Sequence, residues 1–82
     1  MTKIPNRIIE TYTHDGYIIE VEQTDAYHGG CWEIWLYNPE YGVKRHCFGL
    51  PKSQQSYDEV KDIIAANIEE QIRQYKEEVE DY

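Results

Sequence analysis

Through roughly the first fifty residues apolar positions alternate with polar ones, and beyond Ser56 they recur every three or four. The first period belongs to half-buried strands and the second to an amphipathic helix. Arg7 to Thr13 (Arg-Ile-Ile-Glu-Thr-Tyr-Thr) is rich in β-branched and aromatic residues and runs into His14-Asp15-Gly16. Asp-Gly between two such runs predicts a tight hairpin, because glycine supplies the positive φ that the turn requires. Tyr17 to Gln23 is the second strand, with Tyr17, Ile19 and Val21 on one face and Ile18, Glu20 and Glu22 on the other. Thr24 to Gly30 holds Gly29-Gly30 and reads as a loop. In the third strand, Cys31 to Tyr37, Trp32, Ile34 and Leu36 point one way and Cys31, Glu33, Trp35 and Tyr37 the other. Asn38-Pro39-Glu40-Tyr41-Gly42 makes a turn, and Val43 to Leu50 is the fourth strand, ended by Pro51.

Ser56-Tyr57-Asp58-Glu59 fits a capping box, with the serine oxygen accepting from the Glu59 N–H and the glutamate reaching back. Tyr57, Val60, Ile64, Ile68, Ile72, Tyr75, Val79 and Tyr82 then form one continuous stripe, with neither glycine nor proline between 57 and 79. Such a helix is roughly 34 Å long against about 23 Å for a seven-residue strand, so its last turns are expected to outrun the sheet. Either the helix crosses the sheet diagonally, or Tyr75, Val79 and Tyr82 are left for a partner and serve self-association. The predicted architecture is α+β: a four-stranded antiparallel meander and one long C-terminal helix on one sheet face, ββββα, as one domain over residues 1–82. One helix covers only one face, and Tyr17, Ile19, Val21, Trp32, Ile34 and Leu36 make the better inner set. Trp35 and Tyr37 then lie outside with Glu33, Glu20, Ile18 and Tyr12, where large aromatics rimmed by acids suit a protein-binding hot spot. A one-residue slip would instead exchange Trp32 and Trp35.

Composition narrows the function. The 82 residues are 40% hydrophobic and 13% aromatic, too rich in core formers for intrinsic disorder. Sixteen acids against eight bases give a net charge of -8, which disfavours direct binding to nucleic acid or anionic membrane. No apolar run approaches the ~18–20 residues that cross a bilayer, and the polar start Met1-Thr2-Lys3 does not resemble a signal peptide, so a cytoplasmic location is expected.

The charge is unevenly placed. Asp58 to Tyr82 holds nine acids and three bases, a net of -6, whereas Met1 to Tyr57 nets only -2. At 100° per residue Asp58, Asp62, Glu69 and Glu80 share one side of the helix, with Glu59, Glu70 and Glu77 alongside. One reading is a solvated face that keeps the protein soluble. The other is that carboxylates about 6 Å apart imitate the phosphate rows of a nucleic acid and fill the basic groove of a protein that binds one. On that reading Asp58, Asp62, Glu69, Glu70, Glu77 and Glu80 supply the charge and Trp35 and Tyr37 the apolar anchors.

Catalytic and metal chemistry find little support. Cys31 and Cys47 do not make a disulfide framework and read as reduced thiols. With His28 and His46 they carry the donor atoms of a structural zinc site. Adjacent strand residues point to opposite faces, however, so His46 and Cys47 cannot reach one ion, or act as base and nucleophile, without a bulge. No phosphate-binding loop or nucleophile elbow occurs, and neither an enzyme nor a metal or other cofactor is expected.

Gly49-Leu50-Pro51, Ser56-Tyr57-Asp58-Glu59, Asn67-Ile68-Glu69 and Ile72 resemble the strand-to-helix passage of HicB-type antitoxin domains, which also set a small antiparallel sheet before the helix. The resemblance covers roughly residues 48–72 and implies a similar fold and an antitoxin-like or assembly role. In size, acidity and lack of catalytic residues the chain is also similar to phage and mobile-element inhibitors of bacterial defence systems, anti-CRISPR proteins among them. That likeness implies a basic, nucleic-acid-handling partner such as a CRISPR nuclease, met in the host cytoplasm.

Overall fold

Asp15 and Gly16 both take positive φ, 51° and 82°, and close the first hairpin with His14 opposite Tyr17. Such a two-residue turn matches the twist of the strands it joins. The computed structural model describes residues 7–24 and 29–80. Four strands, β1 (Arg7–His14), β2 (Tyr17–Thr24), β3 (Cys31–Tyr37) and β4 (Lys44–Pro51), pair antiparallel in the order β1-β2-β3-β4. Helix α1 (Tyr57–Tyr75) follows and packs on the sheet, ending in a π turn over Lys76–Glu80. The predicted ββββα order is therefore the observed one. Its capping box is formed: Ser56 Oγ accepts from Glu59 N–H, and Glu59 Oε1 accepts from Ser56 N–H.

The register places the expected inner set inward. Tyr17, Ile19, Val21, Trp32, Ile34 and Leu36 are all buried, and Val60, Ile64, Ile72 and Tyr75 close over them from α1. Trp32 and not Trp35 lies in this core. Tyr12 departs from expectation. It stands opposite Ile19 on the inner face, and its hydroxyl is hydrogen-bonded to that of Tyr57 at 3.2 Å. The two-residue turn sets this: counting back from His14 opposite Tyr17 places Tyr12 opposite Ile19, and a bulge between Ile8 and Glu10 resets the alternation only upstream, at Arg7 and Ile8. A second bulge inserts Cys47 into β4 between His46, opposite Trp35, and Phe48, opposite Ile34.

The expected overhang is also corrected. Nineteen helical residues span about 28 Å, close to the ~26 Å of an eight-residue strand. Tyr75 therefore reaches the far end of the sheet and is fully buried there. Its hydroxyl donates to Val43 O at 2.6 Å and accepts from Asn38 N–H at 3.2 Å, and its ring meets Tyr17 edge-on at 5.7 Å. The wider π turn then brings Val79 against the core and Glu80 onto the Tyr17 hydroxyl.

Tyr75→Phe keeps the packing but removes the partner of the Asn38 N–H and of the Val43 carbonyl, both part-buried contacts. It should destabilise the protein by about 1–3 kcal/mol, and Tyr75→Ala by about 3–5 kcal/mol, in urea titrations. A phenylalanine variant as stable as the parent would show that the hydroxyl anchors nothing.

Candidate functional site

The exposed side of α1 carries most of the predicted contact residues. Asp58, Asp62, Glu69, Glu70 and Glu77 are solvent-exposed. Asp58 to Glu77 spans about 28 Å of helix. Within this row Arg73 lies between two acids, reaching Glu77 Oε1 at 2.7 Å and Glu70 Oε2 at 3.0 Å. Hydrogen bonds from Arg73 and then Gln74 hold the Glu70 carboxyl below the usual carboxylate range. These pairs sit in water and are screened, so they contribute little to stability while lowering the local charge. Glu80, expected in the same row, is drawn aside by the π turn to accept from Tyr17. Glu78, just before it, pairs with Arg45 of β4, whose guanidinium also donates to Gln71 Oε1 at 2.9 Å and Gln74 Oε1 at 2.8 Å. Residues 57–80 retain a net of -5, eight acids against three bases.

Trp35 and Tyr37 lie elsewhere. They are on the sheet face away from the helix, half-buried, so the structure does not bring them together with the acidic row. They share that face with Glu20, Glu22 and Glu33 of β2 and β3. Glu22 and Glu33 stand directly opposite each other, a like-charge pair that is unfavourable unless its charge is met. The Trp35 indole N–H donates to Glu22 Oε1 at 3.0 Å, and Glu33 is held by His46 and by the Cys31 thiol, Sγ 3.2 Å from Oε1. Glu20 pairs with Lys44, whose ammonium also stands 5.7 Å over the Tyr37 ring. Beside these groups an open groove of about 610 Å³ is lined by Cys31, Glu33, His46, Gly49, Pro51, Ser53 and Gln54. A Cβ on Gly49 would lie 2.9 Å from Glu33 Oε1 and push that carboxylate from its place beside the Cys31 thiol and the His46 imidazole.

The four donors considered for zinc do not assemble among the described residues. His46 faces Glu33 and Trp35 on the outer side, whereas the bulge turns Cys47 against the core. His28 lies outside the described residues, as do Tyr82 and Met1-Thr2-Lys3. Cys31 and Cys47 are free thiols, and neither is activated. Burial first, and then the neighbouring Glu33 carboxylate, push Cys31 up to about 11; burial likewise raises Cys47. A thiol that stays protonated is a poor nucleophile. Of the residues set aside for self-association, Tyr75 is committed to its own sheet and Val79 is packed against the core.

A different cluster escaped the sequence reading. His14 Nε2, at the end of β1, lies 2.8 Å from Glu69 Oε1 of α1 and 3.6 Å from Asp15 Oδ2 of the turn. Residues 55 positions apart give no local signal, and His14 had served only to flank the Asp-Gly turn.

Comparison with protein-family models, curated proteins and solved structures finds no match for this chain. The likeness to HicB-type antitoxin domains thus rests on the residues of the strand-to-helix passage alone. No described helix is long and apolar enough to cross a membrane.

Tyr12 and Tyr17 are pushed up to about 12, chiefly by burial and then by hydrogen bonds to Glu10 and Glu80. With Cys31 at about 11, all three keep their protons in the native state beyond the pH at which an unfolded chain, near 9.0 for Cys and 10.0 for Tyr, releases them. Their stabilisation is complete below about pH 9 and is lost as pH rises toward 12. The urea midpoint should therefore fall between pH 8.5 and 11, and one that stays constant would contradict these environments.

Proposed function

We propose that this protein is a small acidic, non-enzymatic inhibitor that occupies the nucleic-acid-binding surface of a basic partner, in the manner of an anti-CRISPR or similar phage-encoded protein. The observation that carries this reading is the exposed row Asp58, Asp62, Glu69, Glu70 and Glu77, displayed along a helix whose opposite side is used up in the core. A rigid helix presents these carboxylates without further ordering, so their field is available to steer a cationic cleft during encounter.

Magnitudes bound the mimicry. The described residues carry fourteen acids and seven bases along a 43 Å axis, about one net charge per 6 Å, against about one per 1.7 Å in duplex DNA. The protein is a dilute polyanion. It is suited to competing at a site where a few carboxylates are placed well, and unsuited to displacing DNA by charge density alone. Trp35 and Tyr37 are on the opposite face of a slab only 18 Å thick, so they join the contact only where the partner closes around both sides.

The test is capture of basic proteins from host cells by the immobilised chain, eluted with duplex DNA as competitor. Asp58→Lys, Asp62→Lys and Glu70→Lys together should slow association by tenfold or more at low salt, with a smaller loss at high salt. Binding that resists DNA, or that survives this triple reversal unchanged, would overturn the reading.

A further inference from the structure

His14, Asp15 and Glu69 come from three places: a strand end, the tip of the first hairpin and the middle of the helix. Their nearest ligand atoms all lie within 4.8 Å of one another. Atoms bound to one ion at about 2.0–2.2 Å and set 90–109° apart are about 2.8–3.6 Å from each other. The imidazole nitrogen stands 2.8 Å from one carboxylate oxygen and 3.6 Å from the other, two separations within that range, and the two carboxylate oxygens lie within 4.8 Å of each other.

Within the cluster, hydrogen bonding engages one carboxylate at a time. Both carboxylates are directed at the same nitrogen, Nε2, which carries at most one proton and donates it to one acceptor. Among the described residues neither Asp15 nor Glu69 is paired with a lysine or arginine: Arg73, one turn beyond Glu69, is taken by Glu70 and Glu77. A divalent ion is the group that engages one lone pair from each of the three side chains at once. Asp15 is held in the left-handed region by the hairpin turn and Glu69 by the helix, so the donors sit on elements that the fold has already placed. The surroundings also leave something for an ion to do. A gap of about 260 Å³ lies between the hairpin and α1, lined by Tyr12, His14, Ile19, Lys61, Ile64 and Ile68 among others. On this flank the helix is not packed tightly down.

We infer that His14, Asp15 and Glu69 form a binding site for one divalent transition-metal ion of the zinc type, which clips the β1–β2 hairpin to the helix. The imidazole selects borderline ions such as Zn²⁺, Co²⁺ or Ni²⁺ over Mg²⁺, which takes oxygen donors and gains little from nitrogen. Water completes the coordination, because the side chains of Asp15 and Glu69 are 77% and 78% exposed. The site does not involve the thiols and shares only Glu69 with the acidic row of the helix.

Calorimetric titration of the full chain with Zn²⁺ tests it, with thermal melts read alongside. One ion should bind per chain and raise the melting temperature. His14→Ala should weaken binding at least tenfold, and Glu69→Gln, which preserves size and hydrogen bonding, severalfold, each removing the metal-dependent rise. Cys31→Ser, His46→Ala and Glu70→Gln should bind as the parent does. The inference is overturned if zinc fails to bind at about 1 mM, where even weak sites fill by mass action. It is equally overturned if His14→Ala leaves binding unchanged, if the Cys31 or His46 variant abolishes it, or if Mg²⁺ binds as well as Zn²⁺.

Discussion

The hydroxyl of Tyr75 decides where the helix ends. A single helix over a four-stranded sheet has freedom to slide and tilt, since apolar contacts along its stripe are not directional. A phenol that must bury its oxygen removes that freedom. Its two partners are backbone groups of the β3–β4 connection, so the helix is tied to one end of the sheet by its own last turn. At the other end the capping box fixes the entry. With both ends set, the rotation of the helix is set too, and the side that carries Asp58, Asp62, Glu69, Glu70 and Glu77 has only one direction left to face.

Arg45 extends the same constraint to the edge of the sheet. A guanidinium reaching Glu78, Gln71 and Gln74 from the outermost strand closes the flank of the helix over β4. An inward-directed charge and a bulge at Cys47 also make β4 a poor template for another strand. The opposite flank, over β1, is joined by smaller means: the Tyr12–Tyr57 hydroxyl pair and the meeting of His14 with Glu69. The two sides of the helix thus differ in kind, one clamped by the branched Arg45 network and the other spanning a gap.

The two chemical faces follow from having one helix and two sheet surfaces. On the helix side the carboxylates are exposed and partly offset by Arg73. On the uncovered sheet side Glu20, Glu22 and Glu33 are each tied to a neighbour, Lys44, Trp35 and His46. The helix acids have partners too: Glu69 meets the His14 imidazole, and Glu70 and Glu77 share Arg73. Exposure favours the helix as the contact surface: Asp58, Asp62, Glu69, Glu70 and Glu77 are solvent-exposed, whereas Glu20, Glu22 and Glu33 are half-buried.

Alternation and spacing alone determined the element order, the inner set of six sheet residues, the Asp-Gly hairpin and the capped helix start, because each depends on residues within a few positions of one another. Trp32 and not Trp35 went inward for the same reason: period two links it to Ile34 and Leu36. Tertiary structure decided everything that needed a partner far away in the chain. A bulge, invisible in the pattern, inserted Ile9 into β1; Tyr75 was consumed by Asn38 and Val43, not left for another subunit; Glu80 turned aside to Tyr17; and His14 met Glu69. A local period records which way a side chain points from its own element, whereas these outcomes depend on how far and at what angle two elements lie from each other, which only their packing sets.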